Sequence, residues 1–126
     1  MAKKNFAPQS KEKLALGKLI RLLRESKELS LRALATDVGL SPSNLTYIEN
    51  GINVPTGKIY LKIIEITHPD EEFRRKMDEL YIKIRQLPPP DICEFLIKNP
   101  NMIERIRKEI YLSSDAKKEN KNNGRH

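Results

Sequence analysis

LSLRALATDVGLSPSNLTYIENGINVPTGKIY, residues Leu29 to Tyr60, is the stretch whose reading decides the fold. Ser30 stands where a helix N-cap belongs. Leu31, Leu34, Ala35 and Val38 follow it with the spacing of one buried helical face. Gly39 comes next, at the point where a helix end favours a residue tolerant of the left-handed conformation. Ser41-Pro42 restarts the chain with a second N-cap and a proline at the first helical position. The new helix buries Leu45 and Ile48, ends at Asn50-Gly51, and carries Ser43, Asn44, Thr46 and Tyr47 outward. Helices this short are not stable alone, so both must lean on a core made elsewhere. The polar outer face of the second is free for another use.

Charge narrows that use. Residues 1–69 hold 11 Lys+Arg against 6 Asp+Glu, residues 70–112 hold 9 of each, and residues 113–126 hold 4 against 2. The excess behind the net charge of +7 therefore lies around the paired helices and at the two ends. A basic module joined to a neutral extension suits a polyanionic partner, although basic surface also serves solubility. No apolar run reaches the ~20 residues of a membrane span, and MAKKNFAPQSKEK lacks the apolar core of a signal peptide. The lone Cys93 suits a reducing compartment and reads as a small core residue. His68 and His126 are far apart, so neither a metal site nor a cofactor is expected.

The paired helices are a helix-turn-helix, and they resemble the phage-repressor (Cro/C1, XRE-type) family of transcriptional regulators. Leu19, Leu22 and Arg24 carry the likeness, with LxxLAxxVGxS from Leu31 to Ser41, then Tyr47-Ile48-Glu49-Asn50-Gly51 and Pro55. It covers roughly residues 14 to 67. The resemblance implies an all-α fold in which a five-helix domain presents its third helix to the DNA major groove. Four helices are expected to about residue 67 and the fifth from residue 69, followed by a short helical extension and disordered ends. Leu31 and Pro42-Ser43 depart from the family pattern, which often has Gln at the first position and a polar pair at the second. The usual base contacts therefore do not transfer.

The expected organisation is a disordered basic arm over residues 1–10, a DNA-binding domain over 11–68, an extension over 69–112 and a disordered tail over 113–126. Lys3 and Lys4 in the arm read either as phosphate contacts or as a frayed end. Ser10 is read as the cap of a first helix burying Leu14, Leu16, Leu19, Ile20, Leu22 and Leu23. Thr56 caps a fourth, with Ile59, Ile63, Ile64 and Ile66 inward and Tyr60 at its edge. Phe73, Met77, Leu80, Tyr81 and Ile84 form the longest apolar stripe of the extension and are expected at a dimer interface. Pro88-Pro89-Pro90 and Asn99-Pro100 then delimit two further helices, the last ending near Leu112.

A recognition helix starting at Ser41 points Pro42, Ser43, Thr46 and Tyr47 at base edges, with short hydroxyls for hydrogen bonds and apolar groups for thymine methyls. Lys18, Ser30, Arg32, Asn44, Asn50 and Lys58 are expected on phosphates. The resemblance pairs Arg24 with Glu49; two separate solvated charges are the alternative. The expected function is a sequence-specific repressor, binding double-stranded DNA as a homodimer in the cytoplasm of a bacterium or encoded by a phage. The same fold also serves an antitoxin holding a protein toxin through residues 69–112, or a bridging adaptor that reads no DNA. No nucleophile, paired acid or Gly-rich phosphate loop points to an enzyme.

Overall fold

The computed structural model describes residues 7–124 and the side chains of residues 11–114. Seven helices and no strand occur among the described residues: α1 (Ala7–Ser26), α2 (Leu31–Val38), α3 (Pro42–Glu49), α4 (Gly57–Thr67), α5 (Glu71–Arg85), α6 (Pro90–Lys98) and α7 (Pro100–Gly124). Two compact units divide the chain, Met1–Asp91 and Ile92–His126. None of the helices is long and apolar enough to cross a membrane, among the described residues.

In the first unit, α1 supplies the central rail. It buries Leu16, Ile20 and Leu23, which recur along one line of a 3.6-residue helix. Leu14 and Leu22 were expected on that face but are exposed, because both lie more than about 100° round the helix from it. The helix begins at Ala7, a turn earlier than expected, so Ser10 is internal rather than a cap. Of the arm expected over residues 1–10, residues 7–10 are thus helical, and Lys3 and Lys4 lie outside the described residues.

The caps of α2, α3 and α4 form as read: the Ser30, Ser41 and Thr56 hydroxyls accept from the N–H groups of Ala33, Asn44 and Ile59. Gly39 takes φ 85°, the left-handed conformation a C-terminal turn requires. Along α4 the inward face is Tyr60, Ile63 and Thr67, all fully buried, while Ile59, Ile64 and Ile66 pack only partly against the core. Tyr60 therefore belongs to the centre and not the edge. Its ring stacks on Tyr81 with centroids 4.5 Å apart, and its hydroxyl donates to Asp78 at 2.5 Å. A buried tyrosine needs such a partner.

Tyr81 and Asp78 come from α5, the fifth helix expected of the domain, whose apolar stripe meets this core and not the expected dimer interface. Asp70 caps it by accepting from the Phe73 N–H, and Glu71 and Glu72 complement the dipole. Met77, Tyr81 and Ile84 are buried in the core of the same unit, with Phe73 and Leu80 packed partly against it, and α5 lies along α1. These side chains share one buried cluster with Leu16 and Ile20 of α1 and with Tyr60 and Ile63 of α4. The stripe expected at a dimer interface is spent closing it, and the unit runs on to Asp91 rather than ending near residue 68.

The second unit has a different character. Among its described side chains none is fully buried, and Phe95, Ile97, Ile103, Ile106, Ile110, Tyr111 and Leu112 are exposed. Asn99 interrupts its helices by bonding back to the Phe95 carbonyl, and Pro100 opens α7. Cys93, expected in a core, is half-buried. The backbone of α7 runs from Pro100 to Gly124.

The Tyr60 hydroxyl titrates well above its ordinary value of 10.0, first because burial disfavours the phenolate and second because the Asp78 hydrogen bond holds the proton. A group with a raised folded-state pKa contributes stability below its unfolded value that is lost as pH rises beyond it. Stability should therefore fall more steeply above about pH 10 in the native chain than in Tyr60→Phe, measured by urea melts between pH 9 and 11.

Candidate nucleic-acid interface

Helix α3 is held from behind at three points. Leu45 and Ile48 enter the core. Gly17 of α1 lies so close to the end of α3 that a Cβ there would collide with the carbonyls of Ile48 and Glu49. A glycine in a helix interior costs about 1 kcal/mol relative to alanine, and close approach of the two backbones is what it permits here. The third point is Glu49, expected to pair with Arg24. Arg24 Nε meets Oε2 at 2.7 Å and Nη2 meets Oε1 at 3.1 Å, a two-pronged contact with both side chains nearly buried. The remaining nitrogen, Nη1, donates to the Leu29 carbonyl at 2.9 Å. One guanidinium thereby ties the end of α1, the loop into α2 and the end of α3. Its pKa is raised, chiefly by the Glu49 hydrogen bond, with burial acting against the shift.

The opposite side of α3 is open. Ser43 and Tyr47 are exposed, the latter by 45%, and Pro42 and Thr46 are half-buried beside them. Of the four residues expected to read bases, Ser43 and Tyr47 thus stand fully on the open side, and Pro42 and Thr46 at its margin. One detail was not legible in the sequence: Thr46 Oγ1 donates to the Pro42 carbonyl at 3.0 Å. With its proton engaged, Thr46 offers acceptor lone pairs and a methyl group, while Ser43 can both donate and accept. The residues expected on phosphates, Lys18, Ser30, Arg32, Asn44, Asn50 and Lys58, are all exposed. Ser30 is also a cap, and Lys58 sits in the first turn of α4, where helix amides favour anions.

Two features of the site escaped the sequence reading. Gly17 left a signal, as an isolated glycine within a helical pattern. Arg85 left none: it reaches back 30 residues in the chain to donate to the Pro55 carbonyl at 2.8 Å and the Val54 carbonyl at 3.2 Å.

Compared with known proteins, residues 15–77 match a family model described as a helix-turn-helix domain. The matched span runs from α1 into α5, the elements that build and close the core. No curated protein and no solved structure matches the chain.

The mounting of α3 gives a direct expectation. Arg24→Met or Glu49→Met strands a nearly buried charge and should cost ~3–5 kcal/mol in denaturant melts. The double substitution should cost clearly less than the sum of the two.

Proposed function

Because the chain belongs to the helix-turn-helix domain family, we propose that it is a sequence-specific DNA-binding transcriptional regulator, a dimeric repressor reading the major groove through α3. The observation that carries this reading is the contrast between the two sides of α3. One is fixed by Leu45, Ile48 and the Glu49–Arg24 pair, while the other exposes Ser43 and Tyr47 with Pro42 and Thr46 half-buried beside them. Pre-organised short polar groups suit base edges, because little ordering is left to be done on binding. Ser43 hydrogen-bonds a base, Thr46 accepts from a base amino group, and Pro42 and the Tyr47 ring meet thymine methyls. Lys18, Ser30, Arg32, Asn44, Asn50 and Lys58 hold the flanking phosphates. The protein acts on DNA in the cytoplasm of a bacterium, or is phage-encoded, with no cofactor and no catalytic role.

Dimerisation follows from the reading of a palindrome, since one such helix contacts too few base pairs for specificity. With the α5 stripe buried in the core, the second copy is placed on the exposed apolar side chains of α6 and α7. Seven large apolar side chains from Phe95 to Leu112 stand exposed there, and large contiguous apolar surface on a protein marks interaction sites. The same exposure supports a second reading, an antitoxin that holds a protein toxin there. That reading expects a second small protein to copurify. A bridging adaptor expects no preference among DNA sequences.

Selection from a random duplex pool separates these. The proposal expects an enriched palindrome with half-sites about 34 Å apart. Ser43→Ala or Tyr47→Ala should then cost ~1–3 kcal/mol on the selected site and little on random DNA. Equal losses on both would remove α3 from base reading.

A further inference from the structure

The loop between α3 and α4, Asn50 to Thr56, leads into the start of α4, where three N–H groups, those of Thr56, Gly57 and Lys58, are accepted by no backbone carbonyl among the described residues. Donors of this kind at a helix start, beside the exposed Lys58, are suited to a phosphate. Their use depends on their direction, and a seven-residue loop with Asn53 exposed and Val54 half-buried does not set that direction by local sequence alone.

Arg85, in the last turn of α5, lies behind this loop. Its Nη2 donates to the carbonyls of both Val54 and Pro55, and its Nε is buried without a hydrogen-bond partner. A buried donor left unsatisfied is unfavourable. The side chain is nevertheless held with its guanidinium against two successive carbonyls. Pro55 is buried beneath them.

The peptide joining Pro55 to Thr56 is trans, as are all others among the described residues, so its N–H points opposite to its C=O. Drawing the Pro55 carbonyl towards Arg85 therefore turns the Thr56 N–H away from α5. The same hold fixes Thr56 at the position where its hydroxyl caps α4 by accepting from the Ile59 N–H. Val54 precedes a proline, which has no N–H to compete for the direction of that peptide.

We propose that Arg85 is a positioning residue for DNA binding: by gripping the Val54 and Pro55 carbonyls it aims the Thr56, Gly57 and Lys58 amides at a DNA phosphate without touching the DNA itself. This rests on the DNA-binding reading above. It also makes α5 part of the binding machinery, because its C-terminal turn braces an element presented to the nucleic acid.

Three variants and two readouts test it. Arg85→Met keeps the aliphatic stem and removes the donors, Arg85→Lys keeps a charge with a poorer fit to two carbonyls, and Arg85→Gln keeps a shorter donor should the methionine variant fail to fold. Dissociation constants on the selected duplex and on a random duplex are measured across a salt series. Backbone amide spectra of the DNA-free proteins are recorded in parallel. Arg85→Met should bind both duplexes about tenfold more weakly, the scale of one hydrogen bond to a charged group. Its dependence of log affinity on log salt should be unchanged, with Lys intermediate, and the Thr56, Gly57 and Lys58 amide resonances should move. A salt slope reduced by about 0.9 would make Arg85 itself a phosphate contact and overturn the proposal. Unchanged affinity or unmoved amides would overturn it equally. Should the native chain bind no duplex, the DNA reading falls, and the amide shifts still report separately whether Arg85 sets the loop.

Discussion

The two-pronged bond between Arg24 and Glu49 is the interaction on which the presentation of α3 depends. Hydrophobic contacts at Leu45 and Ile48 give α3 its attachment but little angular definition, since apolar packing is non-directional. A planar guanidinium facing a carboxylate, with its third nitrogen on the Leu29 carbonyl, fixes orientation as well as position. Burying such a pair costs desolvation that its attraction only roughly offsets. Its contribution is therefore to specificity of geometry more than to net stability. Gly17 works in the same sense, letting the α1 backbone meet the end of α3 directly, with no side chain between them.

The second dependence runs through α5. Tyr60 and Tyr81 stack across α4 and α5, Asp78 takes the Tyr60 hydroxyl, and Arg74 joins the group by bonding to Asp78 at 3.2 Å and to Asp91 at 3.1 Å. Polar atoms at the margin of a core cost free energy unless they are paired, and here the pairing also fixes how α4 and α5 meet. From that register Arg85 comes to stand behind the loop entering α4. A helix that closes the core thus also bonds to the backbone of the loop at Val54 and Pro55.

Much of the fold can be read from residue order because its signals are local. The Ser30, Ser41 and Thr56 caps, the left-handed Gly39 and Pro42 at a helix start act within one turn, and each forms as read. The outward placement of Ser43 and Tyr47 follows from the same periodicity. What was misread depends on contacts distant in sequence. Met77, Tyr81 and Ile84 make a good amphipathic stripe, but a stripe does not say whether it meets the same chain or another. Tyr60 goes inward ahead of Ile59, Ile64 and Ile66, and Asp78, 18 residues later, accepts the hydrogen bond of its hydroxyl. The Thr46 hydroxyl bond to Pro42 and the Arg85 grip on the loop are likewise matters of geometry that no pattern announces.

Titration of the isotope-labelled full chain with a duplex carrying its selected site tests most directly whether a rigidly mounted α3 meets DNA. The account predicts amide shifts concentrated at Ser41 to Tyr47 and at Thr56 to Lys58, with the core residues Met77 and Tyr81 and their neighbours in α5 scarcely moved. Shifts confined to α6 and α7, with α3 silent at saturating DNA, would contradict it.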